Sequence, residues 1–97
     1  MPFWHRQVIV AGRVVRVRTR AGGGWRVRLT DTGGALLAAE IPPSAGLPLP
    51  LPGDRILLRG GIRYDAVHAW YAVDPVEEWH TIEPGNWRLK GFSRSRH

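Results

Sequence analysis

The 97-residue chain contains no cysteine, and that absence excludes several classes of protein at once. Disulfide scaffolds, zinc ribbons, thiolate clusters and cysteine nucleophiles all need a thiol that is not there. Long apolar runs are missing too. Val8–Gly12 is interrupted by Arg13 and is too short for a signal-peptide core. The longest mainly apolar stretch, Ile41–Pro52, carries five prolines, which no membrane-spanning helix tolerates. A cytoplasmic protein with no membrane association is the expectation. Lysine is nearly absent as well: thirteen of the fourteen basic residues are arginine. Set against eight acids they give a net charge of +6, which suits a polyanionic partner, and arginine's planar fork matches phosphate better than lysine's point charge does. The composition, 43% hydrophobic and 23% charged, is that of one folded domain.

Eight prolines and twelve glycines leave little room for helix, and the apolar residues alternate instead. Trp25, Val27 and Leu29 fall on one face of a period-2 run, with Arg26, Arg28 and Thr30 on the other. Upstream, Val15 and Val17 oppose Arg16, Arg18 and Arg20, and Gly22-Gly23-Gly24 joins the two runs as a hairpin. Before Gly12 the inward residues are Val8 and Val10, so the phase slips near that glycine, as at a β-bulge or bend. Asp31-Thr32-Gly33-Gly34 is a second turn, leading to a third strand at Ala35–Ile41. A Pro-rich connection follows over Pro42–Pro52, then strands at Arg55–Arg63 and His68–Asp74. Five short strands with closely spaced turns indicate an all-β fold, a small barrel. Residues 85–97 hold four basic groups and no acid, whereas the preceding 84 hold ten basic and eight acidic groups. The chain thus divides into a barrel, 1–84, and a basic, partly flexible C-terminal tail, 85–97.

The order of these signals resembles the OB-fold nucleic-acid-binding modules. The matching stretches are Val8-Ile9-Val10-Ala11-Gly12-Arg13-Val14, Trp25-Arg26-Val27-Arg28-Leu29-Thr30-Asp31-Thr32-Gly33 and Gly53-Asp54-Arg55-Ile56-Leu57-Leu58-Arg59-Gly60, within residues 6–79. The resemblance implies a five-stranded Greek-key barrel. Where many OB-folds place a helix between the third and fourth strands, this chain has a Pro-rich loop, which leaves one barrel end less well plugged.

A hairpin about Gly22 opposes Arg18 to Arg26 and Arg16 to Arg28, with Val17 against Val27 and Val15 against Leu29. Like charges opposite one another on a sheet destabilise it, so four guanidiniums without a local acid imply a polyanion between them. The resemblance places the ligand surface of an OB-fold on this outer face, which makes Arg16, Arg18, Arg26 and Arg28 the central candidates. Arg13, Arg59 and Arg63 extend the patch, and Arg88 and Lys90 in the tail add charge. Single strands are also held by stacking of bases on aromatic rings. Trp25 shares the inward face of Val27 and Leu29 and belongs to the core. Trp70 and Tyr71 point to opposite faces, one buried and one exposed, and Tyr64 and Trp70 are the stacking candidates.

Catalysis fits poorly. The four histidines are not spaced as metal ligands, the neighbouring Glu77 and Glu78 do not share a face, and Ser44, Ser93 and Ser95 lack a nucleophile-elbow context. Neither a P-loop nor a dinucleotide fingerprint is present, so no cofactor is expected. The expected function is non-catalytic binding of single-stranded DNA or RNA with low sequence specificity. The alternative is an OB-fold protein-interaction adaptor, acting as a homodimer or as a subunit of a larger complex.

Overall fold

A computed structural model describes residues 6–85. Five strands form in chain order: β1 (Gln7–Thr19), β2 (Trp25–Thr30), β3 (Leu36–Ile41), β4 (Arg55–Asp65) and β5 (Trp70–Glu83). They close into a barrel in the order β1-β2-β3-β5-β4, with β1 pairing back on β4. All neighbours are antiparallel except β3 and β5, which run parallel. The architecture is a small OB-type barrel with no α-helix among the described residues.

Period-2 alternation fills the interior. Val14, Val27, Leu29, Ala39, Ile41, Ile56, Leu58, Val73 and Val76 form one buried cluster, and Trp25 packs against it from the open end of β2. Each fully buried Val, Leu or Ile in such a cluster is stabilised by about 1.5–3 kcal/mol relative to exposure. A closed barrel also leaves no long unpaired edge.

The Pro-rich connection replaces the helix without opening the barrel. It contains a single 3-10 turn, Pro43–Ala45. Ala45 and Leu47 pack against the core, Pro50 is fully buried, and the Trp79 indole donates a 2.8 Å hydrogen bond to the Pro48 carbonyl. The loop therefore plugs the barrel end that lacks a helix.

Two details differ from what alternation predicts. The phase of β1 slips not at Gly12 but three residues later. Val14, not Val15, pairs with Leu29, and the register then shifts so that Arg16 faces Arg28. Val15 is the bulged residue and is 49% exposed. Gly12 lies buried in phase with Val14, because two valines in succession let either one take the inward place. The second difference is β5, which begins at Trp70, not His68, and runs through Pro75 to Glu83 instead of ending at Asp74. Proline lacks the N–H that a ladder needs, and Pro75 falls in the β4–β5 register shift between the Gly60–Val76 and Ile62–Val73 pairs, where it has no register partner. Gly60 is required there: a Cβ would collide with the Pro75 carbonyl and the Val73 side chain.

Candidate nucleic-acid interface

The outward residues of β1 and β2 meet across one ladder. Arg16 is the register partner of Arg28, and Arg18 of Arg26, as the hairpin predicts. Next along the barrel, β2 pairs with β3 so that Arg26 faces Glu40 and Arg28 faces Ala38. The surface therefore has an acid at its centre, which corrects the expectation of four guanidiniums without one. Glu40 is 1% exposed although it points outward, because arginines cover it. Arg26 Nε donates to Oε2 at 2.8 Å, and Arg20 Nε stands 3.0 Å from Oε1 as an ion pair that is not aligned as a hydrogen bond. A carboxylate this buried persists only because it is paired. Glu40 was findable from the sequence by carrying the hairpin register one strand further, and Arg20 by following it past Thr19.

The four ladder arginines consequently differ in state. Arg16 and Arg18 are exposed, and neither forms an ion pair with any carboxylate of the described residues. Arg26 is half-buried on Glu40. Arg28 lies over the Trp70 indole, its guanidinium carbon 5.0 Å from the ring centroid. A partly desolvated cation–π contact of this kind contributes about 1 kcal/mol. A concave surface of about 400 Å³ opens beside the β1–β2 turn and is lined by Arg18, Thr19, Arg20, Ala21 and Arg26.

The peripheral arginines are committed to acids. Arg13 bonds Glu83 at 3.0 Å, and Arg63 bonds Asp74 at 2.8 Å. Arg59 reaches Glu77 at 2.8 Å and Glu78 at 3.0 Å. Hydrogen bonds to Glu78 and then Glu77 raise the Arg59 guanidinium above its ordinary value, and the bond to Asp74 does the same for Arg63. These three stabilise pairs within the barrel and add little net charge to the patch. All the acids involved lie on β5, mostly beyond Asp74, where alternation gives no strand signal, so their partnership was not legible. Arg88 and Lys90 lie outside the described residues.

Among the aromatics, Trp70 is the buried member of its pair and Tyr71 the exposed one. Ala38 and Ala72 face each other across the parallel β3–β5 pair, and Trp70 fills the space their small side chains leave. His68 stacks on the indole at 4.6 Å and Arg28 lies over it. Trp70 is thus a wall of this surface and not a platform open to bases. Tyr64 and Tyr71, 54% and 57% exposed, form an edge-to-face pair at 5.1 Å. Tyr71 is the more accessible ring although it lies on the strand face of core Val73, whereas Trp70 is buried on the outer face beneath Arg28 and His68; alternation separates the two faces but does not show which neighbours cover each ring.

His68 is held in the β4–β5 turn by Asp65. The imidazole Nδ1 lies 2.8 Å from Oδ2, while the backbone N–H groups of Val67 and His68 donate to Oδ1. These bonds, the imidazole's first, hold the Asp65 carboxyl below its ordinary value. No cluster of three or more His, Asp or Glu suited to a metal ion occurs among the described residues. None of their helices is long and apolar enough to cross a membrane. The chain matches no protein-family model, and no curated protein matches it.

Proposed function

We propose that the protein is a non-catalytic, cytoplasmic nucleic-acid-binding module that holds single-stranded DNA or RNA with little sequence preference. The observation that carries this reading is the pair of exposed guanidiniums, Arg16 and Arg18, which form no ion pair among the described residues and stand in register with Arg28 and Arg26 across an antiparallel ladder. Two cations with no ion-pair partner among the described residues, beside two more, raise the electrostatic energy of the free protein, and a backbone of phosphates relieves it. Arg16 and Arg18 contact phosphates, Tyr64 and Tyr71 offer rings for base stacking, and the basic residues of 85–97, Arg88 and Lys90 among them, add non-specific affinity. No cofactor enters this reading.

A titration of labelled single-stranded and duplex oligonucleotides, DNA and RNA, across about 50–300 mM salt tests the reading, because phosphate neutralisation releases counterions. Preference for single strands with a steep salt slope supports it. Absence of binding at the lowest salt removes it. A second reading, a protein-interaction adaptor or homodimer, draws on a different part of the outer surface. There Ile9 and Ile82 are 65% and 48% exposed on β1 and β5, and Ile9 borders a shallow groove with Leu57 and His80. Concentration-dependent mass in light scattering, insensitive to salt and without oligonucleotide binding, favours that reading instead.

A further inference from the structure

Glu40 is a strange residue to find in the middle of a phosphate-binding face. A carboxylate there lowers the positive potential and repels the polyanion, and simple charge counting says that removing it improves binding. The geometry around it says otherwise. Both arginines that cover Glu40 approach it through Nε: Arg26 Nε at 2.8 Å from Oε2, and Arg20 Nε at 3.0 Å from Oε1. A guanidinium has five N–H donors, and the four on the terminal nitrogens are not the ones turned to Glu40. The carboxylate therefore holds the Arg26 fork at its stem by a hydrogen bond and draws the Arg20 stem in by charge alone. On the solvent side the same two arginines, with Arg18, Thr19 and Ala21, line the concavity of about 400 Å³ beside the β1–β2 turn. Glu40 itself is 1% exposed, so it is screened from a ligand in that concavity by the guanidiniums it holds.

We propose that Glu40 is a positioning residue for a phosphate clamp formed by Arg18, Arg20 and Arg26. The clamp rests on the nucleic-acid reading for its natural ligand, a backbone phosphate of a single strand. Free arginine side chains lose rotamer entropy when they close on a phosphate. Two that are already held by a buried carboxylate lose less, and they present bidentate geometry before the ligand arrives. Glu40 raises affinity by order more than it lowers it by charge.

The decisive property is the sign of the effect of Glu40→Gln. The substitution makes the protein one charge more positive; the amide oxygen can still accept from Arg26 Nε, but the amide NH2 then faces Arg20 Nε and the charge that held Arg20 is gone. Binding of a labelled single-stranded oligonucleotide to the full chain is measured across about 50–300 mM salt. The expected result is a loss of about fivefold to tenfold in affinity at about 100 mM salt, with a salt slope flatter by about 0.7 because one phosphate fewer is neutralised. Unchanged or tighter binding by a folded Glu40→Gln variant overturns the clamp. A second measurement does not depend on that variant folding. In the wild-type protein, inorganic pyrophosphate is titrated while the side-chain Nε–Hε resonances of Arg20 and Arg26 are followed. Both shift saturably if the clamp exists; no shift overturns it. If the oligonucleotide fails to bind and pyrophosphate still moves both resonances, the nucleic-acid reading falls and the clamp stands.

Discussion

Replacing Arg16 and Arg18 together by Ala removes two guanidiniums from the outer face and touches nothing else. Both are exposed, neither is paired with a described carboxylate, and each faces another arginine across the ladder. Their removal sacrifices no buried packing and relieves two like-charge juxtapositions, so the melting temperature stays within about 4 °C of wild type. Binding responds differently. At about 1 kcal/mol for each guanidinium–phosphate hydrogen bond, the pair amounts to about 2 kcal/mol, or about a thirtyfold reduction in affinity. The salt slope also flattens, by about 0.7 for each single-strand phosphate no longer neutralised. Anisotropy titration at several salt concentrations reads both quantities from one set of curves. Affinity within twofold of wild type with an unchanged slope would refute the reasoning, since a basic protein binding anywhere on its surface is indifferent to these two side chains.

Other substitutions separate folding from binding. Arg26→Ala leaves buried Glu40 with Arg20 alone, and thermal melting should show a loss of about 2–3 kcal/mol, below the full value for a broken buried pair because solvent reaches the guanidinium. Tyr71→Ala should weaken single-strand binding by about 1–2 kcal/mol and leave the melting temperature nearly unchanged. Trp70→Ala should instead destabilise the fold by about 3 kcal/mol or more, because a large buried ring is removed from beside two alanines. Gly60→Ala should cost about 2–3 kcal/mol in chemical denaturation, because the added methyl meets the Pro75 carbonyl. The Asp65 carboxyl is depressed in the folded state, so its contribution to stability is complete above the ordinary aspartate range and fades as pH falls through its folded value. Acid titration of the melting temperature should show this decline in wild type and a smaller one in Asp65→Asn.

The alternation of Trp25, Val27 and Leu29 with Arg26 and Arg28 determines a half-buried strand wherever it is placed, because side chains of a strand point to opposite faces by geometry. The triple glycine after Arg20 determines the hairpin, and with it the pairing of Arg18 to Arg26 and Arg16 to Arg28. Proline content determines that the β3–β4 connection holds no regular helix. All of these are local, and local stereochemistry is written residue by residue. Three things are not local. Which of Val14 and Val15 turns inward depends on where Leu29 arrives from β2. Which of Trp70 and Tyr71 is buried depends on the space left beside Ala38 and Ala72, on two strands that meet only when the barrel closes. The state of several arginines depends on acids on other strands: Glu40 for Arg26, Glu77 and Glu78 for Arg59, Asp74 for Arg63. Charge counting along residues 6–85 sees ten similar arginines. Tertiary structure sorts them, because an ion pair requires two side chains within about 4 Å, and only the folded barrel sets that distance.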